Sequence, residues 1–166
     1  MCGEILLLCT RDAVRLTKIM NSITKKILIN SSIEKIWAIL ADVTRTPNWV
    51  DGVKESERTG AIREGAGARW RESCVLDRQH IEVEHEMKVW EPMSRAVIQS
   101  VLPMNGSMTR TLVFGQKPEG VEITVGFVWN LGIAGMLLGE QKVRNILEQS
   151  CENTLANWKD LAEKQN

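Results

Sequence analysis

Three residues able to bind or move protons stand where strand alternation calls for apolar side chains: Glu72, His85 and Arg110. Successive side chains of a strand point to opposite faces, so residues two apart share a face. Across residues 66–76 the even positions carry Ala68, Trp70, Cys74 and Leu76, whereas Arg69, Arg71 and Ser73 take odd ones, so the even face is the inward one and Glu72 lies on it. Across residues 80–91 the inward set is Ile81, Val83, Met87 and Val89, and His85 falls among them. Across residues 107–116 Arg110 shares a face with Met108, Leu112 and Phe114, and the next segment points Val121, Ile123, Val125, Phe127 and Trp129 the same way. A buried charge without a partner is costly or titrates to neutrality. Such groups must therefore be paired, hydrated, or turned towards a ligand.

Parity also sets how these groups meet. A hairpin centred between Arg78 and Gln79 puts Glu72 opposite His85, and a slip of two residues leaves them diagonal neighbours within reach of each other. Arg-Gln is a poor two-residue turn, so a four-residue loop about the same centre is expected. Three chemistries stay open. Glu72 and Arg110 can form a structural ion pair beside a satisfied core histidine. Glu72, His85 and Arg110 can instead orient the polar end of an apolar ligand. Glu72 and His85 can also act as an acid–base pair, the only catalytic candidates in the chain. In the ligand reading the walls come from Trp70, Cys74, Met87, Leu112, Phe127 and Trp129 on strands, with Leu147 and Cys151 on the last helix. Trp70, Phe127 and Trp129 would make an aromatic wall, and Met104, Met108, Met136 and the stretch 132–139 could form a gate.

The elements that must position these residues follow from periodicity and turn signals. A β-prone run over Thr24–Asn30 leads to Asn30-Ser31-Ser32, which supplies cap chemistry for a helix with Ile33, Ile36, Trp37 and Leu40 on its apolar stripe. Residues 42–51, with Pro47 and Trp49, suit a short second helix or turn. Strands are expected over 53–59, 66–76, 80–91, 94–102, 107–116 and 121–130, separated by Gly-, Pro- and Asn-containing turns. An unbroken helix from about Met136 to Lys164, roughly 43 Å long, repeats Val143, Leu147, Cys151, Thr154 or Leu155, Trp158, and Leu161 or Ala162 along one face. That single stripe needs a partner, and the concave face of the sheet is the available one.

The order of one strand, two short helices, six strands and a long helix resembles the START-like or helix-grip superfamily, which includes polyketide cyclase/dehydrase-like and lipid-transfer proteins. The resemblance rests on Ile27–Trp37, on Asp42 with Pro47-Asn48-Trp49, on His80–Pro92 and on the last helix, and covers about Ile23 to Leu161. It implies an α+β fold in which a seven-stranded antiparallel sheet wraps the terminal helix. It further implies a hydrophobic cavity between sheet and helix, opening near the short helices and loops. The function it implies is binding, transport or sequestration of a hydrophobic small molecule such as a lipid, quinone, isoprenoid or polyketide. A cofactor-independent cyclase/dehydratase using His85 and Glu72, and a co-chaperone-like interaction module, are the alternatives.

Composition bounds the remaining possibilities. At 166 residues and 43% hydrophobic content, one domain over 23–166 is expected, with residues 1–22 as an extension that is either an extra helix or a tail. Lys+Arg and Asp+Glu each number 21, which gives no charge excess to attract nucleic acid or an anionic membrane. The four cysteines have neither C-x-x-C spacing nor a histidine pair nearby, so no metal or other cofactor is expected and the thiols read as free. The start, Met1-Cys2-Gly3-Glu4, lacks the basic region of an export signal. A cytoplasmic protein without stable membrane insertion is the expectation, with a homodimer through a strand edge left open.

Overall fold

Alternation of apolar and polar residues assembles seven segments into one antiparallel sheet, and the residual helical stripe lies across it. The structure, a computed structural model, describes residues 21–164, with the side chains of residues 134–136 outside the description. Expectations for the extension up to residue 20, Cys2 and Cys9 included, and for the Met136 side chain fall outside the described residues.

The chain runs β1 (Ser22–Ile29), α1 (Ile33–Ala41), a 3-10 helix (Val43–Asn48), β2 (Val53–Arg58), β3 (Arg69–Leu76), β4 (Gln79–Glu91), β5 (Arg95–Leu102), β6 (Gly106–Lys117), β7 (Gly120–Asn130), α2 (Ile133–Leu138) and α3 (Glu140–Glu163). Strand order is β1-β7-β6-β5-β4-β3-β2, so β1 closes onto the last strand and the sheet stays open between β1 and β2. Ser32 caps α1 by accepting a hydrogen bond from the Lys35 amide, and Asp42 does the same for Thr44 at the start of the 3-10 helix. The inward faces are as alternation predicts: Trp70, Cys74, Val83, Met87, Met108, Leu112, Phe114, Val121, Ile123, Val125, Phe127 and Trp129 are all buried.

Three local features differ from the sequence expectation. The β3–β4 hairpin pairs Leu76 with Gln79, so its loop is the two residues Asp77-Arg78 rather than four. Both take positive φ, 45° and 66°, which is the backbone twist that lets a two-residue turn match two right-twisted strands. Second, β4 carries a bulge between Met87 and Val89. The bulge reverses parity beyond it, so Trp90 rather than Val89 packs against the core. Third, the terminal helix is broken at Gly139 (φ 80°), which separates α2 from the 24-residue α3.

One end of the interior is built from indoles. Trp90, Trp37, Phe114, Trp158 and Trp49 follow one another with ring centroids 4.6, 5.0, 6.0 and 4.8 Å apart. Trp158, 1% exposed, joins α3 to this aromatic column, and burying an indole is worth roughly 4–6 kcal/mol by area. Polar contacts fasten the same half of α3: Lys25 Nζ to Glu152 at 2.7 Å, the Asp51 amide to Thr154 Oγ1 at 2.9 Å, Asn157 Nδ2 to the Trp49 carbonyl at 3.2 Å and Ser31 Oγ to the Ala162 carbonyl at 3.1 Å.

The hairpin turn yields a test of this backbone account. Arg78→Gly removes a left-handed penalty of about 1 kcal/mol, so its thermal midpoint should rise by about 2–4 °C. An unchanged or lower midpoint in differential scanning calorimetry would show that Arg78 is unstrained.

Candidate functional site

The β3–β4 register decides how the three inward polar residues meet. Trp70 pairs with His85 and Glu72 with Val83, so Glu72 and His85 are diagonal rather than opposite, two residues from the centred hairpin. They still touch: His85 Nε2 lies 3.0 Å from Glu72 Oε2, although the ring N–H does not aim straight at the oxygen. The direct neighbour of His85 is Trp70, whose ring stacks on the imidazole at 4.9 Å.

Glu72 and His85 are 4% and 5% exposed, and the protein surrounds them with partners. Thr46 Oγ1 donates to Glu72 Oε1 at 2.7 Å, and Trp70 Nε1 donates to the same oxygen at 3.1 Å. His85 Nδ1 lies 2.8 Å from Ser100 Oγ, and Ser100 is fully buried on β5. A proton on Nε2, facing the carboxylate, leaves Nδ1 to accept the Ser100 hydroxyl proton. Burial alone would raise the Glu72 pKa. The contact with His85, the Thr46 hydrogen bond and the charge of Arg110 together outweigh that and hold it below the ordinary 4.5. The sequence reading did not name Ser100 or Thr46. Ser100 carried a signal, since it shares parity with the buried Ala96 and Ile98, whereas Thr46 sits in an irregular segment whose facing no periodicity predicts.

Arg110 stands apart from this network. Register places it between Ile98 on β5 and Phe127 on β7, and its guanidinium lies 5.2 Å above the Phe127 ring. It makes no ion pair with a described residue, and its Nε is buried without a hydrogen-bond partner. The Glu72–Arg110 ion pair of the sequence reading is thus replaced by an indirect influence, with Glu72 engaged by His85, Thr46 and Trp70. Arg110's charge also reaches Cys151 on α3 and Cys74 on β3. Burial, then the Glu72 charge, pushes the Cys74 thiol up to about 12, and burial likewise raises Cys151.

The structure gathers the sequence-predicted wall residues into one interior with a single offset. Trp70, Met87, Leu112, Phe127, Trp129 and Cys151 belong to the main core cluster and Leu147 packs half-buried against it. Cys74 belongs to a small neighbouring cluster with Val53 and Val83, joined to the main one by Val50 and Leu102. These side chains pack against one another. Two surface concavities are formed elsewhere, one on the outer face at Arg71, Glu82, Glu84 and Val101, the other beside α1 at Trp37, Asp42, Glu64 and Met93. Neither is lined by Glu72, His85 or Arg110.

Coverage of this interior by α3 is uneven. Residues Cys151, Leu155, Trp158 and Ala162 are buried, whereas between residues 140 and 150 only Val143 is. Side-chain contacts from that half to the sheet include Lys142 Nζ to Asp77 at 2.7 Å, at the β3–β4 turn, and the Arg144 guanidinium 5.6 Å from the Trp129 ring. Beside it lie the β5–β6 turn and α2, where Met104, Ile133, Leu137 and Leu138 are exposed, Leu137 at 72%. A Cβ on Gly132 would stand 2.4 Å from the Met104 carbonyl, so the two segments press together there.

An antiparallel sheet curved around a clamped terminal helix defines a helix-grip α+β protein. The chain belongs to the family described as polyketide cyclase / dehydrase and lipid transport, whose model matches residues 20–163. Among solved structures, it is similar to the di-domain ARO/CYC StfQ from the steffimycin biosynthetic pathway, at 13% identity over 96% of this chain with a TM-score of 0.77. It spans 58% of that di-domain chain. It is also similar to TTHA0849 from Thermus thermophilus, at 19% identity, TM-score 0.74, covering 87% of this chain and 99% of that one. A third is the Zhui aromatase/cyclase from a Streptomyces species, at 14% identity, TM-score 0.71, covering 87% and 94%. No curated protein sequence matches the chain. Likenesses at these identities speak for the fold alone. Among the described residues no helix is long and apolar enough to cross a membrane.

The Glu72 network carries a pH signature. Because its folded pKa is lowered, Glu72 contributes stability that is present above the unfolded value near 4.5 and lost as pH falls through the lower folded value. Glu72→Gln should cost about 1–3 kcal/mol at pH 7 and lose less stability on acidification below pH 4.5 than the native chain does. Parallel acid limbs in urea unfolding would show that Glu72 is not the group responsible.

Proposed function

We propose that this protein binds a hydrophobic small molecule between the concave face of the sheet and α3, as a carrier or sequestering protein rather than a catalyst. The observation that carries the reading is the uneven clamping of α3. Its second half is fixed by Trp158 and a row of side-chain hydrogen bonds, whereas in its first half Val143 is the one buried residue, Leu147 is half-buried, and exposed apolar residues border it beyond the Gly139 break. Moving α2 and the first turns of α3 opens a space lined by Trp70, Met87, Leu112, Phe127, Trp129 and Cys151, and an apolar guest replaces the contacts that the movement breaks. The family supports the same reading, since its description joins cyclase/dehydrase with lipid transport.

Glu72 and His85 serve this site as scaffold. Their polar atoms are turned to Thr46, Trp70, Ser100 and each other, and an acid–base pair needs to reach the atom it protonates or deprotonates. Arg110 remains the interior group with capacity to spare.

Native mass spectrometry of the chain purified without detergent, with organic extraction, should reveal a stoichiometric apolar guest or an empty site that takes up the neutral dye N-phenyl-1-naphthylamine. Leu147→Trp fills the space under α3 and should weaken the dye roughly tenfold or more, at about 1 kcal/mol of stability. No guest and no dye uptake would overturn the proposal, and so would unchanged binding in a folded Leu147→Trp.

A further inference from the structure

Hydrogen-bonding capacity is left unmet at three places in the interior. Buried side-chain atoms without a described partner are Trp49 Nε1 and Trp158 Nε1 in the aromatic column, a second group formed by Arg110 Nε, Trp129 Nε1 and Asn21 Oδ1, and His85 Nε2, which faces Glu72 without a straight hydrogen bond. The residues of the second group are neighbours in the sheet ladder. Arg110 faces Phe127 across the β6–β7 ladder, Trp129 is the next inward residue along β7, and the Trp129 amide donates to the Asn21 carbonyl at 3.1 Å. A second cation stands over it, because the Arg144 guanidinium on α3 lies 5.6 Å from the Trp129 ring while also contacting Glu148 at 3.4 Å.

The chemistry of this group is one-sided. An arginine carries its charge at every physiological pH and only donates, and an indole N–H only donates. The Asn21 amide presents a donor at one end and an acceptor at the other, and its two ends are interchangeable by rotation. The inward carboxylate, Glu72, is already engaged by His85, Thr46 and Trp70 and leaves Arg110 unpaired. Trp129 is 3% exposed, so water does not reach its N–H freely. Arg110 is half-buried with its Nε buried and unpartnered, and it shares the inward face with the buried Trp129 indole, so an anion reaching both would meet two unsatisfied donors at once.

We propose that the site selects amphiphiles whose polar end is an anionic oxygen group, of the carboxylate or phenolate class, over neutral molecules of the same shape, with Arg110 and Trp129 as its donors. The inference rests on hydrophobic binding under α3 and adds the identity of the guest's polar end. A long acyl or fused-ring acid would lie with its body along Phe127, Leu112 and Met87 and its anionic end at β6–β7. A neutral lipid or quinone would leave the guanidinium unpaired.

Two probes of matched shape test this on the full chain at neutral pH: 1-pyrenebutyrate and 1-pyrenebutanol, followed by tryptophan-to-pyrene energy transfer. A charge-assisted hydrogen bond to Arg110 predicts that the carboxylate binds roughly 10- to 100-fold more tightly than the alcohol. Arg110→Met should bring the two within about twofold. Trp129→Phe, which keeps an aromatic ring and removes the N–H, should weaken the butyrate by roughly three- to tenfold and leave the butanol unchanged. Equal affinities in the native chain, or a preference that survives both substitutions, would overturn the anionic selectivity while leaving hydrophobic binding in place. Failure of both probes to bind would remove the hydrophobic-binding proposal along with it.

Discussion

A carboxylate in the middle of an apolar sheet is the constraint around which this fold is arranged. Glu72 can stay there only if its charge is met on all sides, and the residues that meet it come from separate parts of the chain: Thr46 from the 3-10 helix, Trp70 from its own strand and His85 from β4. Ser100 extends the chain of contacts to β5. The network therefore fixes the short helical segment against the sheet and aligns β3, β4 and β5 at the same point. Removing one member leaves a buried polar group unmet, which costs more than any single contact contributes.

Around that point the interior divides into two ends of different character. Towards the C-terminal half of α3, Trp37, Trp49, Trp90, Trp158 and Phe114 form a continuous column of rings, and the helix is tied to β1 and to the segment after the 3-10 helix by hydrogen bonds. Towards the break at Gly139 the helix is lightly covered, and Arg110, Phe127 and Trp129 face it. Of the six tryptophans, four stabilise the clamped end, which leaves Trp70 and Trp129 in the candidate site. The fold thus ties the helix through a continuous aromatic column at one end and covers it more lightly at the other, where motion would be local.

Much of this was legible in the sequence because strand alternation is a strict period. Glu72, His85 and Arg110 were visible as exceptions on apolar faces, and each does point inward. What alternation could not settle was register. The choice between a two- and a four-residue turn depends on whether Asp77 and Arg78 accept positive φ, which aspartate tolerates and arginine does not favour. The bulge after Met87 was equally invisible, since one extra residue leaves no mark on composition while reversing every later side chain. The break at Gly139 was written in the residue itself, but a periodicity that continues on either side concealed it. The facing of Thr46 and the lack of an ion-pair partner for Arg110 among the described residues belong to tertiary contact alone, and no local pattern reports them.

The two interior cysteines bear on what such a protein can tolerate. Thiols add to electrophiles as thiolates, and the population of thiolate falls tenfold for each unit that the pKa rises above ambient pH. With Cys74 pushed up to about 12 and Cys151 raised in the same direction, both remain protonated beside the space where a guest would lie. Enones and other alkylating molecules that enter this interior meet a chemically quiet wall and leave it unmodified.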